Sequence, residues 1–180
     1  GGSVGATYGL DFQSTRLDFE YGTPIGEGLY YHIGGFMRTG EGPRDIGYQG
    51  NKGGQIKANI TKEFKNGYIR TYFKFLNDNS VMYMPMPVSL TGTNSDPTFG
   101  NLPGFDITSD SPHSVNIQNT YSVYDGNATQ NDMRSGNNPV SKSVGAEFSF
   151  DLGDDWKVNG KARYSNNSGQ WNAPFTANVG

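Results

Sequence analysis

Apolar and polar residues alternate one for one in seven separate segments of this chain, near 4–12, 15–22, 28–38, 54–64, 67–77, 140–152 and 156–165. In the second segment Thr15, Leu17, Phe19 and Tyr21 share one parity, and Arg16, Asp18, Glu20 and Gly22 share the other. Ile69, Thr71, Phe73 and Phe75 likewise alternate with Tyr68, Arg70, Tyr72 and Lys74. Successive side chains of a strand point to opposite faces, so each segment predicts a strand with one greasy and one charged side. No comparable stretch carries a 3.6-residue period, and no long helix is expected. Strands of about 9–11 residues have the length that crosses a bilayer at a tilt.

The connections come in two kinds. Residues 23–27, 65–67 and 153–155 are tight, and Asn66-Gly67 is a strong hairpin signal because both residues tolerate positive φ. Residues 39–53 and 78–139 are long and rich in Gly, Asn, Ser, Thr, Pro and Asp. Short and long connections alternate in order. The pattern predicts an all-β fold: an antiparallel, up-and-down transmembrane β-barrel segment with short periplasmic turns and long extracellular loops. The Gln13-Ser14 bend is short yet falls on the long-loop side. Within 78–139, Val115 to Val123 has the parity of a loop hairpin strand. Seven strands leave two open edges, which cannot face hydrocarbon. The segment is therefore expected to gain strands from its loops or to belong to a larger sheet.

Composition fits a wet-centred β-protein. Only 33% of the 180 residues are hydrophobic, 13% are aromatic and 26 are Gly. A net charge of −3 argues against a nucleic-acid partner, which would favour a basic stripe. The chain has no Cys, which removes disulfides, thiolate metal sites and thiol nucleophiles. No run of 18 apolar residues predicts a membrane helix. The opening Gly1-Gly2-Ser3 lacks both an initiator Met and a signal peptide, so the chain reads as a piece of something longer.

An ordered set of motifs carries a family resemblance. Arg16-Leu17-Asp18-Phe19-Glu20-Tyr21-Gly22 is followed by Tyr31-His32-Ile33-Gly34-Gly35-Phe36-Met37-Arg38 and Gly42-Pro43-Arg44-Asp45-Ile46-Gly47-Tyr48. Then come residues 51–61, Lys74-Phe75-Leu76-Asn77-Asp78 and Met84-Pro85-Met86-Pro87. Together they resemble the early barrel strands of TonB-dependent outer-membrane receptors, over residues 1–90 and more generally 140–165. The resemblance implies a bacterial outer-membrane location and a 22-strand barrel with a plugged lumen. It implies transport of a scarce, bulky ligand such as a metal chelate, a vitamin or an oligosaccharide. The implied partners are outer-membrane lipid, the rest of the barrel, a plug domain, TonB through that plug, and the small-molecule or glycan ligand. The chain shows no plug and no TonB box, so a barrel fragment is expected.

The polar parity defines a lumen-facing set: Arg16, Asp18, Glu20, His32, Arg38, Lys57, Glu63, Arg70, Lys74, Glu147, Lys157, Lys161 and Arg163. These residues line a ligand path or contact a plug, or they form a hydrated wall tied by cross-strand pairs. Ligand contacts are expected in the loops, at Arg44, Asp45 and Tyr48 and at Asn119, Tyr121 and Tyr124. The null for these residues is solvation of a loop tip. Tyr8, Tyr31, Phe73, Trp156 and Tyr164 on the apolar parity are candidates for interfacial girdles.

Met82, Met84 and Met86 read as a strand exit hugging the rim. His32 and His113 stand without carboxylates at ligand spacing, so neither a metal site nor a Ser-His-Asp order is expected, and no cofactor or enzyme activity. Asp106 and Asp110 could chelate calcium but lack the EF-hand order. Asp154-Asp155 reads as a turn. Two other readings stay open: a soluble secreted β-sandwich binding module, and a small closed eight-stranded outer-membrane barrel.

Overall fold

The computed structural model describes residues 1–83, 86–116, 120–124 and 126–174, with backbone alone at 120–122 and 124. The fold is all-β, 70% strand. The strands are β1 (Gly2–Tyr8), β2 (Gln13–Gly26), β3 (Leu29–Gly42), β4 (Asn51–Phe64), β5 (Gly67–Asn79), β6 (Ser89–Thr93), β7 (Asp96–Gly100), β8 (Thr120–Tyr124), β9 (Asn127–Asn131), β10 (Asn137–Gly153) and β11 (Trp156–Trp171). One antiparallel sheet runs β1-β2-β3-β4-β5-β10-β11. The hairpins β6–β7 and β8–β9 pair only within themselves. The expectation of one long outer loop over 78–139 is thus refined to two hairpins. The stretch Val115 to Val123 overlaps β8; Ile117 and Asn119 lie outside the described residues, as does Met84. The sheet does not close on itself, and β1 and β11 are its free edges.

Three local expectations are corrected. The first strand stops at Tyr8, not near residue 12, because the Gly9 amide donates to Ser14 O and turns the chain. Leu10 is left 93% exposed beyond that turn. The second hairpin turns on Lys65 and Asn66, and Gly67 is already the first residue of β5. No positive φ is needed there. Instead Asn66 Nδ2 donates to Asp151 O at 3.0 Å, so β10 holds the turn from the side. The 140–152 and 156–165 segments extend to Asn137–Gly153 and Trp156–Trp171. At their junction Asp154 and Asp155 both take positive φ, 49° and 65°, as a type I′ turn requires.

Register fixes the two faces. Glu20, Gly34, Lys57, Lys74, Ser143 and Ser165 form one cross-strand row; Thr61, Arg70, Glu147 and Lys161 share a row further along the same face. Every residue of the charged parity falls on this polar face. The opposite face carries Leu17, Phe19, Ile33, Met37, Ile56, Ile60, Phe73, Val144 and Phe148. The main register shifts sit at strand ends, at Gln13/Ser14, Pro24/Gly26 and Asp151/Gly153, so neither face is scrambled in the middle.

The apolar face has no cover among the described residues. Phe73 is 43% exposed and Met37 56%. The buried hydrophobic side chains are Ile46 and Val81, both outside the sheet. Fully burying two such side chains contributes about 5 kcal/mol. Ordering each backbone residue costs about 1–2 kcal/mol. A conventional interior does not hold this sheet together.

Cross-strand contacts do part of that work. Phe148 lies over Gly160, where a Cβ would meet its ring at 2.2 Å. Tyr72 lies over Gly145 in the same way, with its hydroxyl donating to Ala162 O at 3.4 Å. Such rings cover the gap that a strand glycine leaves. Gly145→Val is expected to push the Tyr72 ring aside and cost about 1–3 kcal/mol in urea unfolding. The same change in a Tyr72→Ala background should cost clearly less; equal costs in both backgrounds would remove this contact from the account.

Candidate functional site

Two regions gather polar chemistry. The first is the polar face. Arg38 holds Asp78 with two bonds, 2.8 and 2.7 Å, and donates to Asn79 O at 3.2 Å. Arg16 holds Asp18 in the same forked manner, 2.8 and 2.6 Å, and stacks on Phe36 at 4.0 Å. Glu147 accepts from Arg70 and Lys161, each at 3.2 Å, while Arg70 Nε donates to Thr61. Glu20 lies 3.5 Å from His32 and accepts from Ser3. Arg163 donates to Ser165 and Ser143. Lys57 and Lys74 face each other directly across β4 and β5. Glu63 stands opposite Tyr68 near the short-turn end, and Lys157 opposite Asp151. The candidate wall residues are therefore brought together on one surface, mostly tied in pairs.

The second region is a cap built where the long connections leave the sheet. Ile46, Gly50 and Val81 are buried there, and so is His113. Gly50 permits this packing: a Cβ would meet Val81 at 2.2 Å and Ile46 at 2.9 Å. The Glu41 carboxylate accepts from the Ile46 and Gly47 amides. Asn51 bridges the cap, donating to Glu41 O at 3.1 Å and accepting from the Val81 amide at 3.2 Å. Tyr83 donates to Glu41 O and meets the His113 ring edge-on, 5.9 Å between centroids.

Arg44, expected as a ligand contact, is spent inside the cap. Its Nη1 donates to Ile107 O at 2.6 Å and Asp110 O at 2.9 Å, and the Asp45 amide donates to Ser109 O. Asp106 and Asp110 are likewise engaged: Asp106 Oδ1 accepts from Thr108, and Asp110 Oδ2 accepts from the Asp106 amide. Hydrogen bonding from Thr108 holds the Asp106 carboxyl below its ordinary range. Among the described residues no group of three or more His, Asp or Glu is placed to hold a metal ion. The side chains of Tyr121 and Tyr124, and all of Asn119, lie outside the described residues.

Tyr48, also expected as a ligand contact, lines a polar cavity of about 290 Å³ with Gln49, Lys52, Asn79, Asp132, Arg134 and Ser135. Burial pushes its phenol up to about 12, so the hydroxyl remains a donor at neutral pH. Asp132 is forked to Arg134 at 3.0 and 2.9 Å, and that pairing lowers the carboxyl and raises the guanidinium. Sequence reasoning missed Lys52, Asp132 and Arg134. For Lys52 a signal existed, because it shares the parity of Ile56, four residues beyond the apolar set. Asp132 and Arg134 lie in a segment without periodicity.

Burial also lowers the His113 pKa, and its Nε2 has no hydrogen-bond partner among the described residues while Nδ1 meets Ser111 Oγ at 3.0 Å. The unfolded chain takes up this proton near pH 6.5, the folded one only further down. The neutral-His contribution is thus whole above pH 6.5 and lost as pH falls through it. Asp106 and Asp132 act in a separate window, below their ordinary value of 3.8. Protection of the amides at 44–46 and 81, measured as exchange relative to the intrinsic rate at each pH, is expected to fall between pH 7 and pH 5, and to lose that pH dependence in His113→Phe. Arg44→Met should speed exchange at 107–110, with about 1–3 kcal/mol of local stability lost; unchanged protection would show the two carbonyl bonds to be idle. No family model, no curated protein and no solved structure matches this chain.

Proposed function

We propose that this chain forms part of the wall of an outer-membrane β-barrel that carries a scarce, bulky ligand inward, as its resemblance to TonB-dependent receptors implies. The apolar face supplies the observation that carries the reading. It is exposed, continuous over seven strands, and slanted.

The slant is read from register. One hydrogen-bonded row runs Phe19, Gly35, Ile56, Phe75, and then leaves the apolar zone at Lys142 and Asn166. A row nearer the short turns runs Leu29, Lys62, Ile69 and Phe148, apolar at each of these positions but Lys62. The apolar centre drifts by about one residue per strand, the stagger that lets a sheet wrap into a cylinder. With a rise of about 3.3 Å and a strand spacing of about 4.8 Å, that drift corresponds to a tilt of about 35–40°. Strands of membrane barrels tilt by about 35–45°.

On this tilted axis Lys52 and Lys142 fall outside the apolar band, Lys62 stands at its short-turn border beside Phe64, and its middle is free of charge. Tyr21 and Tyr31 pair at 6.0 Å along the short-turn border, and Phe64 and Phe150 at 5.7 Å beside it. Trp156 sits beyond that border and Tyr164 at the opposite one, as girdle aromatics do. Phe73 instead stands inside the band. A soluble sandwich would need a second sheet against this face, and the remaining described strands are five residues each. Among the described residues no helix is long and apolar enough to cross a membrane.

In this reading the polar face lines a wet interior, where a plug, TonB through the plug, and a metal chelate, vitamin or glycan would act. The loop cap stands on the outer side. Folded in bilayers, the chain should lose about 2–4 kcal/mol on Phe73→Arg, as lipid-facing positions do at mid-depth. Asn59→Arg, on the other face, should cost much less. A Phe73→Arg cost within about 0.5 kcal/mol, the range of an ordinary exposed position, would sink the reading.

A further inference from the structure

The Tyr48 cavity lies on the outward side of the sheet, not on the polar side. Lys52 and Asn79 are cross-strand partners of one row with Thr39, on the parity of Met37, Ile56 and Phe75. They stand four residues beyond Ile56 and Phe75, about 10 Å above the apolar band at the tilt found here. That is the level of lipid headgroups.

The cavity is rich in donors. Gln49 Oε1 already accepts from Thr39 at 2.7 Å, which leaves its amide nitrogen to donate. Ser135 and the Tyr48 hydroxyl add two more. Asp132 is occupied by Arg134 through both oxygens, so the carboxylate offers little to a cation. Lys52 has no ion-pair partner among the described residues. The site carries a surplus of one positive charge and suits an oxyanion.

A groove continues it downward. A depression of about 550 Å³ opens along Thr15, Leu17, Met37, Thr39, Ile56 and Phe75, floored by Gly53 and Gly54. It exists because Gly54 places no side chain between Lys52 and Ile56 on β4. Thr39 borders it and, through its bond to Gln49, joins it to the cavity above. An anion pocket over an apolar trough has the shape of an amphiphile.

We propose that this combined site holds one lipid, its headgroup phosphate between Lys52, Tyr48, Gln49 and Ser135 and an acyl chain along the Gly54 groove. The inference rests on the membrane reading above. The whole chain is net negative, so bulk electrostatics oppose an anionic lipid and any preference for one must be local.

The test is native mass spectrometry of the full chain folded in neutral detergent micelles, with phosphatidylglycerol and phosphatidylcholine offered together. The wild type should retain phosphatidylglycerol about fivefold better, the contribution of one headgroup-level cation. Lys52→Met should bring the ratio towards one and Lys52→Arg should keep it, while Ser135→Ala should lower the retention of both lipids together. Circular dichroism of each variant reports whether the sheet is retained. Equal retention by the wild type overturns the site and leaves the barrel reading standing. Displacement by millimolar glycerol 3-phosphate overturns the lipid assignment in favour of a free phosphate. A chain that stays folded and monodisperse without detergent overturns both readings.

Discussion

An oily sheet face that the chain itself leaves uncovered governs everything else here. In a soluble two-layer protein, burial of such a face supplies most of the stability. In this chain the inward-packed apolar set is reduced to Ile46 and Val81 under the loops. The sheet is instead tied by its own ladders, by ring-over-glycine contacts and by paired charges on the opposite face. Each exposed pair adds little in bulk water. In the membrane reading proposed above, a hydrocarbon surround covers this face without needing a complementary shape.

The same constraint explains the charge distribution. On the polar face opposite signs are brought into forked or shared bonds, as at Arg38–Asp78 and Arg70–Glu147–Lys161. On the apolar face lysines stand only at the border of the band or past it. Strand length follows as well. In the membrane reading the band takes about 9–11 residues of a strand, and the remaining length of β3, β4, β5, β10 and β11 projects past it to carry the cap. The cap can then use ordinary interior packing, with Glu41, Asn51 and Tyr83 supplying the hydrogen bonds that turns and loops lack.

The sheet was largely legible in the residues because period-two alternation is a local property, and register merely aligned what each segment already displayed. Arg16, Glu20, Lys57 and Arg163 fell on one face for that reason. What escaped was set by contacts remote in sequence. Asn66 turns early because Asp151, 85 residues away, holds it. Arg44 looked free in the sequence, yet it is consumed by carbonyls of residues 107 and 110. Hairpins β6–β7 and β8–β9 have strands too short for alternation to stand out. Asp132 and Arg134 reach the Tyr48 cavity only after the chain has passed through both hairpins.

Slant discriminates between environments better than alternation does. Any half-buried strand alternates, so alternation alone leaves a sandwich and a barrel equally served. A drift of the apolar centre by about one residue per strand is the stagger of a sheet that wraps into a cylinder, and in the membrane reading it also levels the apolar band against a flat layer that cuts across tilted strands. A bilayer is such a layer. A facing protein sheet is twisted along with its partner and follows the strands within about 30°. In that reading the border residues acquire a height as well as a face: Lys52 stands at headgroup height on the apolar side, whereas Lys57 and Lys74 face the other way.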